Sequence, residues 1–146
     1  RNGGKEDKMN VFRFMSKEEF AKFNKGETLY NYKQHDKNKT TSTGFCFFNL
    51  KDYLPQDAMH FLSGIVSFDI CAVFETDKSN LKERYGRYNK NTYTLFPSMF
   101  PAMFHATEYC TTQYSNKNFK LVKYSEDIWR QWKLIDEQED LEWKEV

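Results

Sequence analysis

The chain has 146 residues, a formal net charge of +1, 39% hydrophobic, 18% aromatic and 29% charged residues; this is the length of one domain with an aromatic-rich core and it disfavours disorder. No apolar run approaches the roughly 18 to 20 residues of a membrane span and none near the N-terminus is of signal-peptide type, so the expectation is a cytoplasmic protein without membrane contact. Three cysteines, Cys46, Cys71 and Cys110, have no CxxC spacing and lie among aromatic, β-branched or apolar neighbours, as buried thiols of a reducing compartment do.

In chain order, residues 1–8 read as a flexible tail or tag remnant ahead of a single domain over 9–146. Residues 10–15 alternate polar and apolar as a short strand does. Ser16-Lys-Glu-Glu19 is a capping box, in which the Ser16 hydroxyl satisfies the Glu19 amide and the Glu19 carboxylate reaches back. It predicts a helix over 17–24 with Phe20 and Phe23 on one face and Gly26 as its stop. Residues 27–32 read as a strand and the polar run 33–41 as a loop. Residues 44–50 are apolar on both sides, as a central strand is. A helix is expected over 57–62 after Pro55, and 67–75 is the clearest strand of the chain. Strands over 106–114 and 118–124 are expected to form a hairpin across 115–118. Residues 97–104 carry two prolines, so they read as loop or a short helical turn. The segment 126–146 fits two patterns: Ile128, Trp132 and Ile135 have helical spacing, yet 129–135 and 141–146 also suit paired strands.

Charge is unevenly spread. Residues 126–146 hold eight acids and three bases, and the opposite excess collects in two stretches, 32–39 and 82–90, that read as basic loops with interleaved tyrosines. Basic residues beside aromatic rings meet phosphates and stack on bases; a solvated loop that keeps a protein in solution has the same composition. His35, His60 and His105 are far apart, no HExxH or paired Cys/His spacing occurs, and there is no Walker loop or GxGxxG, so neither a metal site nor a Rossmann nucleotide site is expected.

Three short runs place polar groups in or beside strand-like segments: Arg13 within 11–15, Ser42 and Thr43 within 40–48, and Glu108 within 106–110. Arginine binds phosphates, a hydroxyl orients a sugar or amide, and a carboxylate answers developing positive charge. Each is also an ordinary polar residue at a strand end or edge. In this order the runs resemble the ADP-ribosyltransferase-like fold, over roughly residues 11–124. The nearest branches are the DNA-modifying ADP-ribosyltransferase toxins and the RNA 2′-phosphotransferases, whose first helix carries a similar Ser-x-x-Glu opening.

The resemblance implies an α+β domain with two short, mostly antiparallel sheets and a few helices. It implies a glycosyl-transfer enzyme with NAD as donor and a nucleic acid or protein as acceptor. Glu108 would stabilise the cation formed when the nicotinamide–ribose bond breaks. Arg13 would hold the pyrophosphate, Ser42 and Thr43 the ribose or amide, and Phe45 or Tyr53 would stack on nicotinamide. Arg84, Tyr85, Arg87 and Tyr88, ahead of the Glu108 strand, would meet the acceptor. Position 106 is Ala rather than the second Glu or Gln of many members, which argues against protein-arginine modification. Two other classes fit the sequence: a non-catalytic binding or inhibitor protein on the same scaffold, with Trp129, Trp132 and Trp143 in an acidic interaction surface, and an RNA-directed nuclease or phosphotransferase in which Glu108 and His105 share acid and base work.

Overall fold

Strand β1 (Lys8–Met15) buries residues of both parities, and that makes it central: Met9, Val11 and Met15 belong to one buried cluster, Phe12 and Phe14 to another. A strand coated on both sides needs a paired neighbour along each edge. It has them in β3 (Phe45–Asn49) and β4 (Ile70–Asp77), both antiparallel to it. In the computed structural model the described residues are 7–32, 44–62, 69–89, 103–135, 138 and 140–146, with only the backbone described for Phe61, 85–89 and 103–105.

The sheet extends outward from these three strands. Strand β6 (Met103–Thr111) adds to β3, and β5 (Lys82–Asn89) adds to β6 as an edge. On the other side β8 (Phe119–Glu126) pairs with β4, and β9 (Trp143–Glu145) closes that edge. The order is β5-β6-β3-β1-β4-β8-β9, every pair antiparallel. A two-stranded ribbon of β2 (Leu29–Tyr30) and β7 (Gln113–Tyr114) stands apart. The protein is therefore a small single-domain α+β fold with antiparallel sheets and few helices.

Each face of the large sheet carries its own core. Helix α1 (Lys17–Asn24) lays Phe23 against Phe74 and Tyr114 on one face, which we call the α1 face. The opposite face holds Phe12, Phe14, Phe48, Cys71, Val73 and Ala106 under helix α2 (Pro55–Leu62) and the short helix α3 (Ile128–Trp132). There the His60 and Trp132 rings meet edge to face at 4.8 Å.

Several elements depart from expectation, and β6 begins at Met103, inside the stretch 97–104 read as loop or helical turn. Residues 82–89 form β5 rather than a loop, because eight consecutive positions find partners along β6. The hairpin of 106–114 with 118–124 does not form. Both flanks of β6 are taken by β3 and β5, so Tyr114 and Gln113 turn away to pair with β2 and the chain enters β8 beside β4. The acidic tail takes its helical pattern at 128–132; 129–135 and 141–146 do not pair with each other, and 143–145 instead forms a strand along β8. No described helix is long and apolar enough to cross a membrane.

Gly44, just before β3, has φ +85°, and a Cβ there would lie 2.4 Å from the Thr111 carbonyl oxygen and 2.9 Å from that of Asn31. Both obstacles are backbone, and the conformation itself is one that side chains resist. Gly44→Ala is expected to lower stability by about 2 kcal/mol or more in denaturant unfolding, whereas Gly26→Ala, with only the Asn116 side chain at 3.6 Å, loses about 1 kcal/mol for its positive φ alone.

Candidate functional site

Arg13 lies on the α1 face, between Met9, Val11 and Met15, where a strand in an apolar sheet would ordinarily place another apolar side chain. Glu19, in the first turn of α1, answers its charge: Arg13 Nε and Nη2 donate to the two Glu19 carboxylate oxygens at 2.7 and 2.9 Å. Nη1 donates to the Cys46 carbonyl oxygen at 3.2 Å, and the guanidinium sits 5.0 Å from the Phe45 ring centre and 5.9 Å from that of Phe47. The Tyr114 hydroxyl completes the group by donating to Glu19 Oε2 at 2.5 Å. The capping box is thus half used. Ser16 Oγ accepts from the Glu19 amide at 3.1 Å, but the Glu19 carboxylate turns to Arg13, where a bidentate charged pair outweighs a single bond to a backbone amide.

Burial alone would lower the Arg13 pKa, but the charge and hydrogen bonds of Glu19 outweigh it and hold the guanidinium more firmly protonated than usual. Burial, reinforced by Glu19, pushes the Tyr114 hydroxyl well above its ordinary value. A group whose folded pKa is raised contributes stability in full below its unfolded pKa, about 10 for tyrosine, and loses it as pH rises through the folded pKa. Tyr114→Phe is expected to lower stability by about 1.5 to 3 kcal/mol at neutral pH. Its deficit should narrow above about pH 10, as followed by unfolding across pH.

Glu108 projects from the opposite face. Strand β3 alternates, so with Phe45 and Phe47 on the Arg13 side, Cys46 points the other way. Ligand atoms of Cys46, Glu108 and Cys110 all lie within 4.8 Å of one another. Glu108 is 1% exposed. Across β6 the register sets Arg84 directly opposite Glu108 and Lys82 opposite Cys110, hence on the same face. On the β3 side Cys46 pairs with Cys110 and Phe47 with Tyr109, so Phe48, by alternation, shares the Glu108 face, and it carries the Tyr53 ring edge to face at 5.8 Å. A buried carboxylate, a half-buried arginine and two aromatic rings therefore share one region of the sheet.

This divides the residues expected to converge. Arg13 and Glu108 lie on β1 and β6, which flank β3 in the sheet. Arg13 and Phe45 nevertheless face α1, while Glu108, Tyr53 and Arg84 share the other face, because Arg13 and Glu108 occupy opposite parities across the intervening strand. The single cleft expected for Arg13 and Glu108 is corrected accordingly. Ser42 and Thr43 lie outside the described residues, as do the side chains of Tyr85, Arg87, Tyr88 and His105.

Two members of this region were not legible as functional residues. Cys46 and Cys110 stand 64 positions apart in apolar runs and read as core; only the β3–β6 register makes them neighbours. Glu19 was visible as a helix-start residue, with no sign that it would meet an arginine six positions earlier. No protein-family model, curated protein or solved structure matches the chain.

Proposed function

We propose that this protein is an ADP-ribosyltransferase-like domain that takes NAD as donor, with its chemistry on the Glu108 face. The observation that carries the reading is the placement of Glu108, Arg84 and the Phe48–Tyr53 pair on one face of the sheet. In this reading Glu108 stabilises the ribosyl cation as nicotinamide leaves. A carboxylate shielded from water acts on such a charge more strongly than one in solvent. Tyr53 stacks on the nicotinamide ring, and Arg84 takes the diphosphate role for which Arg13 is already engaged. The acceptor is a nucleic acid meeting the basic and aromatic edge strand β5, whose outer side has no partner strand among the described residues.

The test is thermal unfolding with NAD. At a concentration 100 times Kd, binding adds about 2.7 kcal/mol, a Tm rise of roughly 5 to 10 °C for this chain length. Arg84→Ala should remove most of that rise, measured against its own Tm without NAD. The opposed orientation of Arg13 and Glu108 favours a second reading, a binding protein without donor chemistry, for which the exposed Trp129 offers an anchor. No NAD-dependent shift in wild type selects that second reading.

A further inference from the structure

The Cys110 thiol approaches the Cys46 sulfur at 3.9 Å, and no disulfide joins the two. A disulfide requires about 2.05 Å. Two thiolates on one tetrahedral zinc ion, each about 2.3 Å from the metal, stand about 3.8 Å apart. The observed separation thus suits a shared metal without rearrangement of the sulfurs, and the Glu108 carboxylate completes a group of three donors within 4.8 Å. We propose that Cys46, Glu108 and Cys110 form a zinc site.

Four features of the region support a soft divalent ion. The donors come from two hydrogen-bonded strands, with Cys46 and Cys110 directly opposed and Glu108 on the same face two residues along β6, so the backbone fixes their spacing before any metal arrives. Thiolate pairs select zinc over magnesium or calcium, and the added carboxylate oxygen favours zinc over copper(I). Two thiolates and a carboxylate carry three negative charges against the two positive charges of the ion. Lys82 and Arg84, directly opposite Cys110 and Glu108, supply the compensating cations. Cys110 and Glu108 are buried while Cys46 is half-buried, which leaves an approach on the Cys46 side. Three protein donors leave the fourth tetrahedral position to water or another small ligand.

Each thiol that binds loses its proton to the buffer as its sulfur–metal bond forms, so uptake strengthens as pH rises. The site goes beyond the donor reading, because a Glu108 oxygen held on zinc is withheld from a ribosyl cation. Resting on that reading, zinc is an inhibitor of nicotinamide release. The binding claim itself needs no NAD and stands or falls separately.

The experiment is titration of the reduced, metal-free full chain with cobalt(II), followed by displacement with zinc and by competition for zinc against a chromophoric chelator. One cobalt per chain with a thiolate-to-metal charge-transfer band, lost in Cys46→Ser and in Cys110→Ser, is the expected result. Glu108→Gln keeps the band and binds zinc about tenfold or more weakly. Cys71→Ala, a thiol of the same face outside the cluster, keeps both the band and the affinity. A folded, reduced wild type with no charge-transfer band overturns the site, as does a band that survives in the Cys46→Ser/Cys110→Ser double variant. Because Cys46→Ser changes a half-buried side chain, its thermal unfolding serves as the control for folding.

Discussion

Glu19→Ala is expected to lower stability by about 3 to 5 kcal/mol, a fall in Tm of roughly 10 to 15 °C. The carboxylate it removes accepts three hydrogen bonds, two from Arg13 and one from Tyr114, and the side chains of Arg13 and Glu19 are only 15% and 14% exposed. Without Glu19, a guanidinium is left among Phe45 and Phe47 with no counter-charge from its own cluster, and the Tyr114 hydroxyl loses its acceptor. Removing one member of a buried ion pair costs more than replacing the whole pair. The triple variant Arg13→Met, Glu19→Leu, Tyr114→Phe should therefore be markedly more stable than Glu19→Ala. Chemical denaturation of the two variants checks the ordering. Equal loss in both would mean that the network is not the brace between β1 and α1 that its geometry describes.

Glu108→Gln is expected to lower nicotinamide release from NAD by about 10² to 10³-fold, with the fold retained. The substitution keeps size and shape, removes the negative charge and turns one acceptor oxygen into an N–H donor, so a large loss reports the carboxylate's action on the departing ribosyl group rather than lost packing. Single-turnover measurement at saturating NAD separates that loss from weaker donor binding.

Much of the fold was legible from local chemistry. The start of α1 was written in Ser16-x-x-Glu19, and β4 and β8 in their apolar patterns, because helix caps and strand alternation act within a few residues. What escaped was decided at long range. Residues 82–89 look like a basic loop because Lys82, Arg84 and Arg87 are polar, yet an edge strand needs burial on one side only and tolerates such residues. The 106–124 hairpin failed because adjacency in sequence competed with two better partners for β6. The candidate site shows the same limit. That Arg13 and Glu108 lie on strands was readable. Their opposite faces were not, because side-chain parity across strands depends on a register that no local motif records. For the same reason the Cys46–Cys110 neighbourhood was invisible, each cysteine being an unremarkable member of an apolar strand.

The measurement that bears most directly on the account is nicotinamide release from NAD by wild type, Glu108→Gln and the Arg13→Met/Glu19→Leu/Tyr114→Phe variant, each with its unfolding curve. With the donor site on the Glu108 face, release is expected in wild type and in the folded triple variant, and its loss in Glu108→Gln. A folded triple variant without activity, beside an active Glu108→Gln, would contradict that placement and return the donor site to the Arg13 face.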